Sequence, residues 1–183
     1  MNKLILTPLT KTQKLILFLL YKFRFLTTYH LQTILNHKNP HRTQSWLKDL
    51  KEKGYIVSMY QRNVRSENTK PSVLYLTPLA RHILKKDSKV ELKALSLIYK
   101  EKKRTKKFIN HCLLLADIYL YFLSQKKKKE KLQFFTKTTL TGYEYFPKPM
   151  PDAYIAIKDE KKTRRYFLDL FDEYTPPFVY RKR

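Results

Sequence analysis

Glycine is nearly missing from this 183-residue chain, which holds only Gly54 and Gly142. A glycine-rich loop cradling nucleotide phosphates is therefore excluded. Cysteine is rarer still: Cys112 stands alone inside an apolar run, so the chain can build neither a disulfide framework nor a cysteine-based zinc site. That usage suits a reducing cytoplasm, the location expected here. No apolar run reaches the ~18 to 20 residues of a membrane span. The best candidate, residues 112–123, is short and interrupted by Asp117. The apolar stretch 15–21 has basic flanks but no small-residue cleavage site, and it continues in helical periodicity, so it reads as a helix and not as a secretory leader. No internal repeat is found.

Acidic residues are the last shortage. Fifteen Asp and Glu face 39 Lys and Arg, a formal charge of +24. This exceeds what solubility requires and points to a polyanion as partner, nucleic acid before any other. Hydrophobic residues make up 43% of the chain, with 14 Tyr and 11 Phe, enough apolar material for a folded core.

Periodicity divides the chain into two modules, 1–88 and 89–183. Thr7-Pro8 signals a helix start, and Leu15, Ile16, Leu19, Leu20 and Phe23 recur at helical spacing to about Lys22. Thr27 is the expected N-cap of a second helix carrying Leu31, Ile34 and Leu35. A third helix is expected from Pro40 through Trp46, Leu47 and Leu50 to Gly54, whose lack of a Cβ suits a left-handed cap. Two β-rich runs, 55–60 and 72–77, flank the basic loop 61–71. Three helices followed by a charged hairpin is the order of a winged helix-turn-helix. Thr77-Pro78 then opens another helix, and helical character dominates 90–124 before the lysine run 126–131, read as solvated. Strands are expected at 132–136, 152–158 and 166–171, with a charged turn at 159–165. The fold class expected is α+β.

In a helix-turn-helix the second helix of the pair enters the major groove with its N-terminal residues facing base edges. His41, Arg42, Thr43, Gln44 and Lys48 are the candidate contacts, with Trp46, Leu47 and Leu50 on the opposite stripe. Arg42 suits bidentate pairing with guanine and Gln44 with adenine. The hairpin loop adds Arg62, Arg65 and Lys70, best assigned to phosphates.

Several motifs in order carry a family resemblance. They are Leu6-Thr7-Pro8, Arg24-Phe25-Leu26-Thr27-Thr28, Gly54-Tyr55-Ile56 and Tyr75-Leu76-Thr77-Pro78-Leu79-Ala80. Further on come His111-Cys112-Leu113-Leu114-Leu115-Ala116-Asp117, Pro151-Asp152-Ala153 and Phe167-Leu168-Asp169-Leu170. Together they resemble the plasmid replication-relaxation family over nearly the whole chain. The resemblance implies a role in plasmid replication and DNA relaxation, and a C-terminal α/β module similar to restriction-endonuclease-like, PD-(D/E)xK-like folds. Such nucleases hold Mg²⁺ between two carboxylates, and Asp152 and Asp169 fit that pattern as candidate catalytic and metal-binding residues. A lysine is wanted two residues after the second carboxylate, and position 171 is Phe. Lys158 or Arg165 would have to substitute, and Asp172 and Glu173 add acidity nearby.

His111 and Asp117 lie about two helical turns apart, too loosely placed for a metal pair, and His111 reads as a buried core histidine. The tyrosines lack the clustered histidines of a tyrosine relaxase. The ending after Tyr174-Thr175-Pro176-Pro177 suggests that the second module is incomplete.

The leading expectation is a DNA-binding protein acting in plasmid or mobile-element replication, needing no cofactor to bind double-stranded DNA and no membrane. The sequence admits a homodimer without specifying one. The alternatives are a Mg²⁺-dependent nicking enzyme using Asp152 and Asp169, or a winged-helix transcription regulator.

Overall fold

A computed structural model of the chain describes residues 8–37, 39–59, 71–171 and 178. The first helix, α1 (Lys11–Phe23), begins later than Thr7-Pro8 suggests, because Thr10 closes a capping box: the Gln13 N–H donates to its hydroxyl at 3.2 Å and its own N–H donates to Gln13 Oε1 at 2.9 Å. A two-residue strand β1 (Leu26–Thr27) and helix α2 (Thr28–Leu35) follow, with Thr27 as the N-cap. Asn39 caps α3 (Pro40–Glu52) by accepting the His41 N–H at 2.9 Å. At the far end Gly54 adopts φ +71°, as a left-handed helix stop requires, and the Tyr55 N–H reaches back to the Leu50 carbonyl at 3.0 Å.

Strands β2 (Ile56–Met59) and β3 (Val73–Leu76) pair antiparallel, and β1 adds to the other side of β3, giving the order β1-β3-β2. Helix, strand, helix, helix and a two-stranded wing make a winged helix. The wing tip lies outside the described residues.

A 3₁₀ turn (Pro78–Ala80), α4 (Arg81–Leu84), α5 (Leu92–Ser96) and a longer 3₁₀ segment (Leu97–Lys103) lead to α6 (Lys106–Gln125). Then come β4 (Lys131–Thr136), α7 (Lys137–Leu140), β5 (Ala153–Lys158) and β6 (Thr163–Leu168), in an antiparallel sheet ordered β4-β5-β6. Strand β6 starts three residues earlier than expected. Asp159 Oδ1 accepts the N–H groups of Lys161 and Lys162, each at 2.8 Å, and this Asx turn tightens the hairpin. The same bonds hold the Asp159 carboxyl below the usual carboxylate range.

One hydrophobic core runs across residue 88, from Ile16 and Leu20 of α1 through Leu74 and Leu76 of β3 to Leu115 of α6, Phe134 of β4 and Ile155 of β5. A smaller cluster joins Phe25, Tyr75 and Cys112, where burial pushes the thiol up to about 12 and leaves it an apolar filler.

Polar ties reinforce the junction. Arg24, at the end of α1, forks onto the buried carboxylate of Glu101. The Tyr21 hydroxyl accepts the Glu91 N–H at 2.8 Å. His30 takes the Thr27 N–H on Nδ1 at 3.2 Å and turns Nε2 to Asp117 at 2.9 Å, joining α2 to α6. Among the described residues no helix is long and apolar enough to cross a membrane.

Candidate nucleic-acid interface and the acidic pair

Helix α3 splits by position. Leu47 and Leu50 are buried in the core, while His41, Arg42, Gln44, Ser45 and Lys48 are exposed along the other side. Thr43 departs from expectation: it is fully buried at 0% exposure. Positions 43, 47 and 50 follow helical spacing down the inward stripe, so its hydroxyl cannot reach a base. Ser45, not singled out from the sequence, stands on the exposed side instead.

The edge is partly preset. The Arg42 guanidinium lies 5.9 Å from the Trp46 ring centroid, and the His37 ring meets Trp46 edge-on at 5.3 Å. Trp46 is half-buried rather than buried, and its exposed face carries the arginine. Lys48 sits 3.9 Å from Glu52 with both side chains exposed, a weak pairing in water that leaves the ammonium available. Beneath the edge, Asp49 binds Lys53 at 2.7 Å and accepts from Gln13 of α1. The Lys53 bond first, then Gln13, hold the Asp49 carboxyl below its ordinary value. Arg62, Arg65 and Lys70, expected on the wing, lie outside the described residues.

The second module does bring Asp152 and Asp169 together. They flank the paired ends of β5 and β6, and the Asp152 N–H donates to Asp169 Oδ1 at 3.3 Å. Asp152 is buried; its Oδ2 accepts the Leu170 N–H at 2.9 Å and its Oδ1 lies 3.4 Å from His111 Nε2. Both oxygens of Asp152 and one of Asp169 are thus engaged within the protein. Each of these oxygens has a second lone pair, and among the described residues no group of three His, Cys, Asp or Glu has metal-holding geometry. As arranged, the two carboxylates tie the start of β5 to the end of β6 and to His111 of α6.

Neither proposed substitute for the absent lysine is close. Lys158 ends β5 and Arg165 lies inside β6, which at ~3.3 Å per strand residue puts them roughly 20 Å and 13 Å along the sheet from the aspartates. Phe171 is partly exposed and offers no charge. Asp172 and Glu173 lie outside the described residues.

His111 is the residue that sequence reasoning misplaced. Its side chain is 34% exposed, and its partner is Asp152, not Asp117. Helical spacing could not show this, because the partner comes from a strand distant in sequence. His111 and Asp152 line a cavity of about 600 Å³ between the end of α1, α5, α6 and α7, floored by Phe23, Phe108 and Leu115. Lys22 also borders it. Burial lowers that ammonium from 10.5 to about 8, and it lies 4.9 Å from the Tyr119 ring.

The family model described as replication-relaxation matches residues 17–176. Among curated proteins, no sequence match is found. Solved structures with a related chain path include a double mutant of Lactococcus lactis ZitR, 26% identical, covering 68% of this chain and 80% of that one at a TM-score of 0.38. Another is Lactococcus lactis ZitR as a zinc-responsive MarR family member, 24% identical over 68% of this chain and 81% of that one, TM-score 0.38. A single mutant of the same protein in complex with DNA is 24% identical over 68% and 80%, TM-score 0.39.

Proposed function

The chain belongs to the replication-relaxation family, and from that premise we propose that it binds double-stranded DNA in the cytoplasm and acts in the replication or relaxation of plasmid or other mobile DNA. The observation that carries this reading is the split of α3, which buries Leu47 and Leu50 while exposing His41, Arg42, Gln44 and Lys48 on one edge. Laid in a major groove, that edge offers Arg42 to guanine O6 and N7, Gln44 to adenine N6 and N7, and Lys48 to a phosphate. Trp46 limits the freedom of Arg42 before DNA arrives, which lowers the ordering cost of the contact. Arg62, Arg65 and Lys70 are assigned to phosphates beside the groove.

Asp152 and Asp169 are assigned no metal-dependent step. Their mutual bonds latch the start of β5 to the end of β6, and His111 extends the latch to α6.

Fluorescence anisotropy with labelled duplexes tests the reading. Affinity falls steeply between 50 and 200 mM salt, on the order of a thousandfold if six or more phosphates are neutralised, and Arg42→Ala weakens binding further at fixed salt. Duplex affinity indifferent to both changes overturns the proposal.

A further inference from the structure

We propose that the outer face of the β4-β5-β6 sheet binds single-stranded DNA by stacking bases on a row of aromatic side chains. The pairing register fixes what this face carries. Phe134, Ile155, Leu132 and Ile157 point to the core side, where Phe134 meets Tyr119 of α6 at 5.2 Å. Alternation then sends Phe135, Tyr154 and Phe167 to the opposite side, and these three are direct cross-strand neighbours. Their centroids lie 6.2 Å apart for Phe135 and Tyr154 and 5.7 Å apart for Tyr154 and Phe167.

The loop before β5 extends the row. Phe146 stands edge-on to Tyr154 at 5.5 Å, and Tyr145 stacks on Phe146 at 5.0 Å. This arrangement is not a closed core. Tyr145 is 78% exposed and Phe167 59%, so flat ring surface faces water at both ends.

Charge on the same face selects the occupant. The next two cross-strand rows are Gln133, Ala156, Arg165 and then Lys131, Lys158, Thr163. Three cations and no carboxylate stand among these nine positions on the outward side, of which the small Ala156 is itself buried between its neighbours. Of the acids nearby, Glu130 binds Arg164, whose side chain belongs to the core side, Glu160 binds Lys129 at 3.1 Å, and Glu144 stands exposed beside Tyr145, outside the strand rows. Among the described residues no carboxylate pairs with Arg165 or Lys158.

Rows on one face of a strand recur about every 7 Å, within the reach of one extended nucleotide. Bases on the aromatic row would therefore leave their backbone crossing Arg165 and Lys158. Rings for bases beside cations for phosphates is the combination by which single strands are held with little sequence preference. A duplex cannot use this face, because its bases are already stacked on each other. The surface is separate from α3, so it stands or falls independently of the duplex reading.

The test uses the full chain with a labelled 20-nucleotide oligothymidine. Binding is expected, with Tyr145→Ala and Phe167→Ala each weakening it about tenfold while leaving duplex affinity unchanged. Both substitutions remove no charge, so such a loss reports stacking and not general polyanion attraction. Arg42→Ala should do the reverse, weakening duplex binding and sparing oligothymidine. Four results overturn the proposal: oligothymidine binding indifferent to both aromatic substitutions, equal loss on duplex, a matched oligouridine bound tenfold more tightly, or a concentration-dependent dimer in sedimentation that Tyr145→Ala dissolves. The last would make the face a contact between two copies of the chain.

Discussion

The protein contains two three-stranded antiparallel sheets that differ in what their faces do. In the first, the middle strand β3 buries Leu74, Tyr75 and Leu76 in succession, so both faces of that strand are covered and the sheet serves as a support from which the wing projects. In the second, strands of six residues alternate, with Phe134 and Ile155 inward and Phe135, Tyr154 and Phe167 outward. A sheet covered on both sides holds other elements in place; a sheet covered on one side has a surface left to use. The first therefore presents its chemistry through a neighbouring helix, the second through its own strands.

The sharpest way to break this comparison is to ask whether the sheets are separate bodies at all. Arg24 reaches from the end of α1 to Glu101, whose carboxylate is buried. Burial raises the Glu101 pKa, and Arg24 and Arg104 offset only part of that rise. Removing Arg24 leaves the buried carboxylate only the weaker partner Arg104, 4.0 Å from its other oxygen, so Arg24→Ala should cost about 3 kcal/mol. Urea unfolding followed by circular dichroism and by tryptophan fluorescence should show one coincident transition, since the core is shared. Two separated transitions would mean that the halves fold apart.

Next in size, Gln44→Ala should weaken binding to a preferred duplex by about 1 to 3 kcal/mol and relax base choice at one position; competition among duplexes differing at single base pairs measures this. Thr43→Val, in contrast, should leave duplex affinity unchanged, because its side chain is buried.

A smaller effect concerns pH. Below pH 8 Lys22 is charged whether the chain is folded or not, and only the folded chain bears the desolvation. Between about 8 and 10.5 the folded chain has released the proton while the unfolded chain still holds it, so stability rises with pH in that window. Cys112 opposes this from about pH 9, because burial keeps its thiol protonated to about 12 while the unfolded thiol ionises near 9. Tyr21 adds to the opposition above pH 10. Burial first, with a lesser opposing contribution from its hydrogen bond to Glu91, puts its phenol at about 12, and the unfolded phenol ionises earlier. Urea midpoints are expected to rise from about pH 8 to 9, level off to about pH 10 and then fall. Lys22→Met should remove the rise and add about 1 kcal/mol at pH 7, lost cation–π contact offsetting part of the gain.

The smallest expected effect is none. Supercoiled plasmid incubated with Mg²⁺ or Mn²⁺ should remain supercoiled; nicked circles that vanish in Asp152→Asn would show that the acidic latch opens to take a metal.

The winged helix was readable because its signals are local. Thr27 and Gly54 act within a turn of where they stand, and the inward stripe of α3 follows from spacing alone. Thr43 was misread since a short polar side chain at the edge of a stripe looks the same whether it faces in or out. Strand β1 left no sequence signal: two residues become a strand only because β3 arrives beside them. The link between His111 and Asp152 has the same origin, as it depends on α6 lying across the start of β5. Both aspartates were found through family motifs, but that their oxygens are engaged by backbone N–H groups could not be read from motifs. The aromatic row went unnoticed because Phe135, Tyr154 and Phe167 become neighbours only through strand register.

His30 has both ring nitrogens committed, one at the start of α2 and one at Asp117. For gene shuffling, this makes the winged helix a poor donor. Moved alone onto another body, it would arrive with a proton-bearing nitrogen and no acceptor waiting. A recombination event that preserves the helix must carry codon 117 along with codon 30, so the heritable block is longer than the segment assigned to duplex DNA.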